Sequence, residues 1–297
     1  MAVAGYPPAD HILADLGLDT EVATLTSARS RLRATPEVAG ADGGVRAGVL
    51  ATVVDVVGGA VAVRSVLPDW MATADLTLQM AAPAVGPWVE ARATILRRGR
   101  TTLVVEALVV NVAEDGADVG GPVGWASMTF TILPRRSDRP TVAVPGDPPV
   151  RWAFEGDGLA VPVPEALSIE VVDAARGHVS MPALAYAANS FGAVQGGVMA
   201  LLAEVAGVEA VGAAQDPGAA PVVVTDLQVA YLALGRVGPI ESSATVLDAG
   251  PGRVPRCAVV ELVDTGAEEG GRLATVVTVG TSPVDAPVVV AGAGASR

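Results

Sequence analysis

Hydrophobic and polar positions follow two periods along the chain. The segment Arg46–Val63 is apolar nearly all round except at Asp55, which predicts a helix enclosed on most sides. The segments around it alternate apolar and polar residues between short polar turns, which indicates strands. The first half therefore reads as one strand, one helix and four further strands. The predicted strands are Leu25–Pro36, Thr73–Ala82, Trp88–Leu96, Thr101–Val112 and Val123–Leu133.

The second half repeats this succession. Arg46 and Gln195 lie 149 residues apart, as do Asp55 and Glu204, and two copies of one supersecondary unit explain such a repeat. A second helix is predicted over Gln195–Val211. The strands predicted after it are Val222–Leu232, Ile240–Leu247, Arg256–Val263 and Leu273–Thr281.

The repeat divides the chain into two domains of ordinary size, residues 20–136 and 165–285. Residues 137–164 between them belong to a proline-rich stretch with few periodic apolar positions. This stretch is predicted to be a linker that runs over the surface.

Composition narrows the possible functions. A hydrophobic fraction of 51% with 17% charged residues supplies a large core and argues against disorder. The net charge of −13 disfavours nucleic acid as a partner. One cysteine, Cys257, and two histidines, His11 and His178, leave little for a metal site, so none is predicted.

Neither a membrane anchor nor an export signal is predicted. The longest apolar stretch is interrupted by Asp55 and contains several glycines, which disfavours a spanning helix. The first residues lack a basic start followed by an apolar core. A cytoplasmic enzyme is therefore expected.

The start of the second helix has the composition of a site that stabilises negative charge. Backbone amides at a helix N-terminus can donate to an oxygen that becomes negative in a reaction, and Gly196 is the natural donor because it lets a substrate approach closely. Asn189 and Gln195 either add a neutral amide donor or fix the loop.

Each long helix also carries one acid, Asp55 or Glu204, among apolar residues. Burial raises the pKa of a carboxyl group toward the working range of a general base. An acid in this position can equally cap a backbone group or make a buried hydrogen bond. The sequence leaves both interpretations open.

Taken together, these residues resemble a known family. The halves are similar to the hotdog fold, and the string Asn189, Gln195, Gly196, Gly197 and Glu204 resembles acyl-CoA thioesterases of the phenylacetate-pathway type. Those enzymes usually have His where this chain has Gln195, and Asp where it has Glu204. The first half keeps Asp55. It has Gly40, Arg46 and Ala47 at the positions of the Asn, His and first Gly.

The resemblance implies an α+β protein with two tandem hotdog domains. Each would be a long antiparallel sheet wrapped around a central helix, and the two would pack as a pseudo-dimer, with a possible homodimer of such chains. Active sites in this family combine the glycine loop of one unit with the acid of the other. One composite site would therefore join Asn189, Gln195 and Gly196 to Asp55 and Thr73.

The resemblance implies a second composite site that is impaired or only a relic. It would join Glu204, with Thr225 as a possible hydroxyl, to Gly40, Arg46 and Ala47. Arg46 would place a charge where the family usually has His.

Coenzyme A would enter as part of the substrate, and no separate cofactor is expected. Its phosphates need cationic partners, and a compact cluster inside a repeat lies at one predicted strand turn. This cluster consists of Arg97, Arg98 and Arg100. A solvated hairpin turn explains the same arginines equally well.

Three functions follow from these observations. The first is an acyl-CoA thioesterase in which Asp55 activates water or itself attacks the thioester. The second is a noncatalytic protein that binds acyl-CoA or an acyl carrier. The third, a hotdog hydratase or dehydratase, is disfavoured because the chain lacks a suitable Asp and His pair. A serine hydrolase is disfavoured because there is no Gly-x-Ser-x-Gly motif.

Overall fold

Two long apolar helices form the centre of the protein. The structure, a computed structural model, describes residues 6–134, 146–247 and 256–284. Helix α2 (Ala47–Val66) and helix α4 (Gly196–Ala213) contact each other and one large sheet. Both are long and apolar enough to span a membrane, but 72% and 67% of their most apolar windows are buried inside the protein, as in core helices.

Glycines allow the first turns of these helices to approach closely. A Cβ atom at Gly48 would overlap the backbone of Leu201, and a Cβ atom at Gly197 would overlap the backbone of Thr52. Gly48 and Gly197 are 149 residues apart, as are Thr52 and Leu201. The two helices therefore meet through equivalent surfaces of the two halves.

Short helices and strands complete each half. The short helices are α1 (Ile12–Asp15) and α3 (Val163–Ala166). The strands before α4 are β1 (Asp19–Val22), β2 (Ser27–Arg33), β3 (Trp70–Met80), β4 (Trp88–Arg98), β5 (Thr102–Val112), β6 (Gly124–Leu133), β7 (Val150–Ala153), β8 (Glu170–Asp173) and β9 (His178–Met181). The strands after it are β10 (Val222–Tyr231), β11 (Ile240–Val246), β12 (Cys257–Asp264) and β13 (Arg272–Pro283).

Thirteen strands among the described residues form one antiparallel sheet, in the order β7-β1-β2-β4-β5-β6-β3-β10-β13-β12-β11-β9-β8. Alternation explains how each strand faces the helices: Leu103, Val105, Ala107 and Val109 of β5 are all fully buried. The two halves join where β3 pairs with β10. Thr77 faces Gln228 there. These two residues are 151 positions apart, close to the repeat spacing of 149, so equivalent strands of the two halves pair with each other.

The predicted long elements are present with shifted ends. Helix α2 extends to Val66 instead of Val63, and α4 extends to Ala213 instead of Val211. Each half also has a short strand that was not predicted. Strand β1 precedes β2 and pairs with it, and strand β8 precedes β9 and pairs with it.

The stretch predicted as a surface linker is also more ordered than expected. Strand β7 lies within it and pairs with β1 at the edge of the sheet, and helix α3 lies at its end. Residues 135–145 of this stretch lie outside the described residues. Strand β7 was not predicted, because it has only four residues and an alternating period cannot be recognised over so short a segment.

Candidate active site

The loop before α4 is built by the side chain of Asn189. Its Oδ1 atom accepts hydrogen bonds from the backbone N–H groups of Phe191 at 2.9 Å and Ala193 at 3.1 Å. The Asn189 N–H donates to the Ala193 carbonyl at 2.6 Å. Of the two roles open to Asn189, the structure therefore shows loop fixation, which sets the direction in which the chain enters α4.

Helix α4 begins at Gly196, beside two side chains from other elements. A Cβ atom at this position would lie 3.0 Å from the Tyr231 hydroxyl oxygen and 3.2 Å from Asp55 Oδ2. Because Gly196 has no side chain, the Asp55 carboxylate of α2 can lie close to the N-terminus of α4. The structure brings the glycine loop of the second half together with the acid of the first.

Asp55 lies in the middle of α2 and faces a cavity. Its Oδ1 atom accepts a hydrogen bond from the Thr73 hydroxyl at 2.8 Å. Burial raises the pKa of the Asp55 carboxyl above its ordinary value, and the hydrogen bond from Thr73 opposes this shift only in part. Asp55 and Thr73 are therefore adjacent, as the sequence predicted for one composite site.

Gln195 is held by the N-terminal segment of the chain. Its Nε2 atom donates to the Tyr6 hydroxyl oxygen at 2.6 Å, and its side chain is buried. His11 lies edge-on to Tyr6 and hydrogen-bonds through Nε2 to the Ala188 carbonyl at 2.8 Å. The segment before α1 therefore closes over the loop that carries Asn189 and Gln195.

These groups border one cavity of about 210 Å³. Asp55, Thr73, Asn189, Gln195 and Gly196 all line it, so the five residues of the predicted composite site are together. The chain has four Trp, three Tyr and three Phe residues, and six of these ten line the cavity. They are Tyr6, Phe130, Trp152, Phe154, Phe191 and Tyr231.

Several buried hydroxyl groups in this wall have no hydrogen-bond partner among the described residues. They belong to Ser190, Tyr231 and Thr275, and all three residues line the cavity. Buried polar groups are normally paired. The concentration of unpaired hydroxyls around an apolar cavity indicates a ligand that carries hydrogen-bonding atoms.

The corresponding arrangement, in which the acid of α4 faces the start of α2, is different. Glu204 of α4 is buried, and its Oε2 atom accepts a hydrogen bond from the Gly48 N–H at 2.6 Å. The Arg46 guanidinium lies 3.6 Å from the other carboxylate oxygen. Burial raises the pKa of Glu204, although both of these contacts oppose the shift. The acid here caps the N-terminus of the opposite helix, the structural role that the sequence left open.

The remaining residues predicted for this second arrangement do not form a polar cluster with Glu204. The Thr225 hydroxyl hydrogen-bonds to Asp226 Oδ2 at 3.2 Å. Gly40 lies in the turn before α2, where its N–H donates to the Gly44 carbonyl at 2.7 Å, and Ala47 is the buried first residue of α2. The structure therefore does not place a free hydroxyl beside Glu204.

The predicted phosphate-binding arginines lie away from the cavity wall. Arg97, Arg98 and Arg100 are exposed at the turn between β4 and β5. Arg98 faces Leu103 across the sheet, Leu103 faces Phe130, and Phe130 faces Thr73. Three strand spacings separate Arg98 from Thr73, roughly 14 Å along the sheet.

Sequence reasoning missed several residues of the cavity. Trp152 and Phe154 come from the stretch predicted as linker, and Tyr6 comes from the segment before the first domain. Tyr231 ends β10, where alternation identified a strand but not a site. His178 lies on β9 with its Nε2 atom 3.6 Å from Glu241 Oε2, and it does not line the cavity.

No group of three or more His, Cys, Asp or Glu side chains capable of holding a metal ion occurs within residues 6–134, 146–247 and 256–284. The chemistry available at the cavity is that of a carboxylate with a raised pKa, backbone amides at a helix N-terminus and hydroxyl groups.

Comparisons with known proteins agree with the fold. Residues 43–116 match the family model described as the thioesterase superfamily. An acyl-ACP thioesterase structure from Bacteroides thetaiotaomicron is similar with a TM-score of 0.55 at 12% identity, covering 86% of this chain and 98% of that one. A protein provisionally named oleoyl thioesterase from Lactobacillus plantarum has a TM-score of 0.55 at 10% identity, over 93% and 99% of the two chains.

No curated protein matches the chain. At these identities the two structures show the fold, an α+β hotdog fold with an antiparallel sheet and helices. The predicted hotdog fold is confirmed at this level, and the match to the thioesterase superfamily extends over residues 43–116.

Proposed function

We propose that this protein is an acyl-CoA thioesterase that hydrolyses the thioester to a free acid and coenzyme A. The observation that carries the proposal is the meeting of the Asp55 carboxylate with the open N-terminus of α4 at Gly196, inside a largely apolar cavity. An acyl group needs an apolar cavity, and its thioester carbonyl needs a donor and a nucleophile or base at one place. The match of residues 43–116 to the thioesterase superfamily supports this chemistry.

In the proposed reaction the thioester carbonyl lies between the Gly196 N–H and Asp55. The amide end of α4 stabilises the oxygen as it becomes negative. Asp55 accepts a proton from water while water adds to the carbonyl carbon, or it attacks that carbon itself to form an anhydride that water then cleaves. In both routes the C–S bond breaks, and coenzyme A leaves as a thiol after taking a proton.

The surroundings of Asp55 suit the role of a base. Burial raises the pKa of the carboxyl, which makes the ionised form a stronger proton acceptor than an exposed aspartate. The hydroxyl of Thr73 holds one carboxylate oxygen at 2.8 Å and leaves Oδ2 on the side of Gly196. Thr73 is thus a positioning residue for Asp55.

We assign the two halves as tandem hotdog domains packed as a pseudo-dimer, with one working composite site. Two facts support this assignment: the equivalent contacts of α2 with α4, and the pairing of Thr77 with Gln228 at the centre of the sheet. In the second composite site the Glu204 carboxylate is already engaged by the Gly48 N–H, one residue beyond Ala47, the counterpart of Gly196, and by Arg46. Glu204 is accordingly assigned a structural role.

The arginine turn at residues 97–100 is proposed to bind phosphates of coenzyme A. Its three guanidinium groups are exposed, and the turn lies along the sheet from Phe130 and Thr73. Guanidinium groups bind phosphate oxygens in bidentate geometry. A separation of roughly 14 Å between the turn and Thr73 leaves room for the extended arm that links the phosphates to the thioester.

The proposal is tested by incubating the purified chain with short, medium, long and aromatic acyl-CoA substrates while free thiol is followed. Saturable thiol release with at least one of them is the expected result. The same substrates with Asp55→Asn give the background rate, because Asn keeps the shape of the side chain and removes its charge.

The second candidate is a noncatalytic acyl-CoA or acyl-carrier binding protein. It is favoured by Gln195, which replaces the usual His of the family motif and whose amide is engaged with Tyr6. Saturable binding of an acyl-CoA without thiol release from any substrate identifies this alternative and rejects the thioesterase.

A further inference from the structure

Tyr231 combines burial with the absence of a partner. Its hydroxyl oxygen is buried and has no hydrogen-bond partner among the described residues. The phenol ends β10 and lines the cavity beside Asp55. Leaving a buried hydroxyl unpaired is unfavourable, so its position needs a reason other than stability.

The hydroxyl lies beside the proposed oxyanion donor. A Cβ atom on Gly196 would lie 3.0 Å from the Tyr231 oxygen and 3.2 Å from Asp55 Oδ2. The Tyr231 hydroxyl oxygen and Asp55 Oδ2 therefore lie on the same short stretch of the cavity wall, beside the start of α4. A thioester carbonyl bound against this stretch of wall meets both.

The hydroxyl is present in only one of the two pseudo-equivalent arrangements. The shift of 151 residues that relates Thr77 to Gln228 relates Met80 to Tyr231. Met80 has no hydroxyl, and it belongs to the arrangement in which Glu204 occupies the helix amide. The polar group thus accompanies the free helix N-terminus and not the capped one.

We propose that the Tyr231 hydroxyl is the second donor to the thioester carbonyl oxygen and acts together with the Gly196 N–H. The assignment rests on the proposed thioesterase function and names a further catalytic residue for it. Tyr231 donates a hydrogen bond to the oxygen as the carbonyl becomes tetrahedral, and it keeps its proton throughout. No covalent bond to the phenol forms or breaks.

The surroundings keep this hydroxyl protonated. Burial and the nearby negative charge of Asp55 raise the pKa of Tyr231 well above its ordinary value of 10.0. The group is therefore a donor over the whole pH range in which Asp55 can act as a base. Oxygen lone pairs of the substrate supply the acceptor that the protein itself lacks at this point.

Tyr231→Phe tests the proposal because it removes only the oxygen. The expected result is a fall in kcat of about 100-fold or more with little change in KM, the loss typical of one oxyanion donor. The melting temperature should stay the same or rise, because the removed hydroxyl has no partner in the protein. A variant that loses kcat only because it is misfolded would show a lowered melting temperature instead.

Tyr186→Phe is the matched control. It removes the same hydroxyl group from a tyrosine that hydrogen-bonds to Asp15 Oδ2 at 2.7 Å and does not line the cavity. It should keep the wild-type kcat. An active wild-type chain whose Tyr231→Phe variant turns over at the wild-type rate overturns the Tyr231 assignment alone. A wild-type chain that releases no thiol from any acyl-CoA overturns the thioesterase and this assignment together.

Discussion

The Glu204 carboxylate accepts a hydrogen bond from the Gly48 N–H at 2.6 Å, across the contact between α4 and α2. Asp55 is the counterpart of Glu204, and Gly197 is the counterpart of Gly48. Asp55 is shorter by one methylene group, and it hydrogen-bonds to Thr73 instead. One carboxylate therefore closes a helix N-terminus, and the other stays beside an open one.

This difference predicts unequal effects of removing the two charges. Asp55→Asn should lower kcat by about 100-fold or more, because a general base typically contributes a factor of this size. Glu204→Gln should keep most of the activity, since its carboxylate meets a backbone amide outside the cavity. Thiol release under saturating acyl-CoA measures both.

Asp75→Asn is the control for this pair, because Asp75 is an exposed acid on β3 and should not affect kcat. Equal losses in the Asp55 and Glu204 variants would mean two working sites. A loss confined to the Glu204 variant would reverse the assignment.

Glu204→Ala should destabilise the fold. The substitution leaves the Gly48 N–H and the Arg46 guanidinium without their buried acceptor. An unsatisfied buried donor typically costs about 1–3 kcal/mol in the free energy of unfolding. Urea denaturation measures the difference, and Glu204→Gln should lose less because its side-chain carbonyl can still accept. An alanine variant as stable as the parent would show that the cap has no energetic role.

The stability of Asp55→Asn relative to the parent should increase with pH. Burial raises the folded-state pKa of Asp55 above its ordinary value of 3.8. The protonated carboxyl therefore favours folding below the unfolded pKa, and this contribution is lost as the pH rises through the folded pKa. Asn does not ionise, so its advantage should grow across that interval. Melting temperatures of both proteins between pH 3 and pH 8, a range of about five units that begins below the ordinary carboxyl pKa, would check the sign.

The sequence predicted the long elements because their signals are long. The repeat with a spacing of 149 residues, the apolar period of α2 and α4 and the alternation of β3 to β6 each extend over many residues. The sequence also grouped Asn189, Gln195, Gly196, Asp55 and Thr73, and all five line one cavity, but that this cavity is a composite active site stays a prediction. Their chemical roles are proposals that the variants above address.

The parts that the sequence did not predict depend on tertiary contacts. Trp152 reaches the cavity because β7 pairs with β1, a contact between residues about 130 positions apart that leaves no local pattern. Tyr6 precedes the first predicted domain and is placed by its hydrogen bond from Gln195. Tyr231 reads as one residue of an alternating strand, and only the fold places its hydroxyl at Gly196.

If the arginine turn binds coenzyme A phosphates, its removal should change KM and not kcat. Replacing Arg97, Arg98 and Arg100 by Ala should raise KM for an acyl-CoA and leave kcat nearly unchanged, because the turn lies away from Asp55. With the same acyl group carried on N-acetylcysteamine, which lacks phosphates, the KM of the parent and of the variant should be the same. Higher salt should reduce the difference between parent and variant for the acyl-CoA, since exposed charges are screened.

Arg272→Ala provides the comparison, because Arg272 is another half-exposed arginine that pairs with Glu268 in the second half. A KM for acyl-CoA that the triple substitution leaves unaltered would mean that the turn is only a solvated hairpin.

Gly196→Ala and Gly197→Ala should fail in different ways, although the two residues are adjacent at the start of α4. A methyl group at Gly196 would lie 3.0 Å from the Tyr231 oxygen and 3.2 Å from Asp55 Oδ2, and so would displace the two groups that are proposed to contact the thioester carbonyl. At Gly197 the methyl group would overlap the backbone of Thr52, which cannot move without separating α2 from α4.

Gly196→Ala should therefore lose turnover while keeping a melting temperature close to that of the parent, because its nearest neighbours are side-chain atoms at the cavity wall. Gly197→Ala should lower the melting temperature first, and its activity should fall only as the folded fraction falls. Thiol release measured beside thermal unfolding separates the two effects. If Gly196→Ala were as active as the parent, the carbonyl would have to bind elsewhere in the cavity, because the methyl group and the thioester cannot share the space beside Asp55.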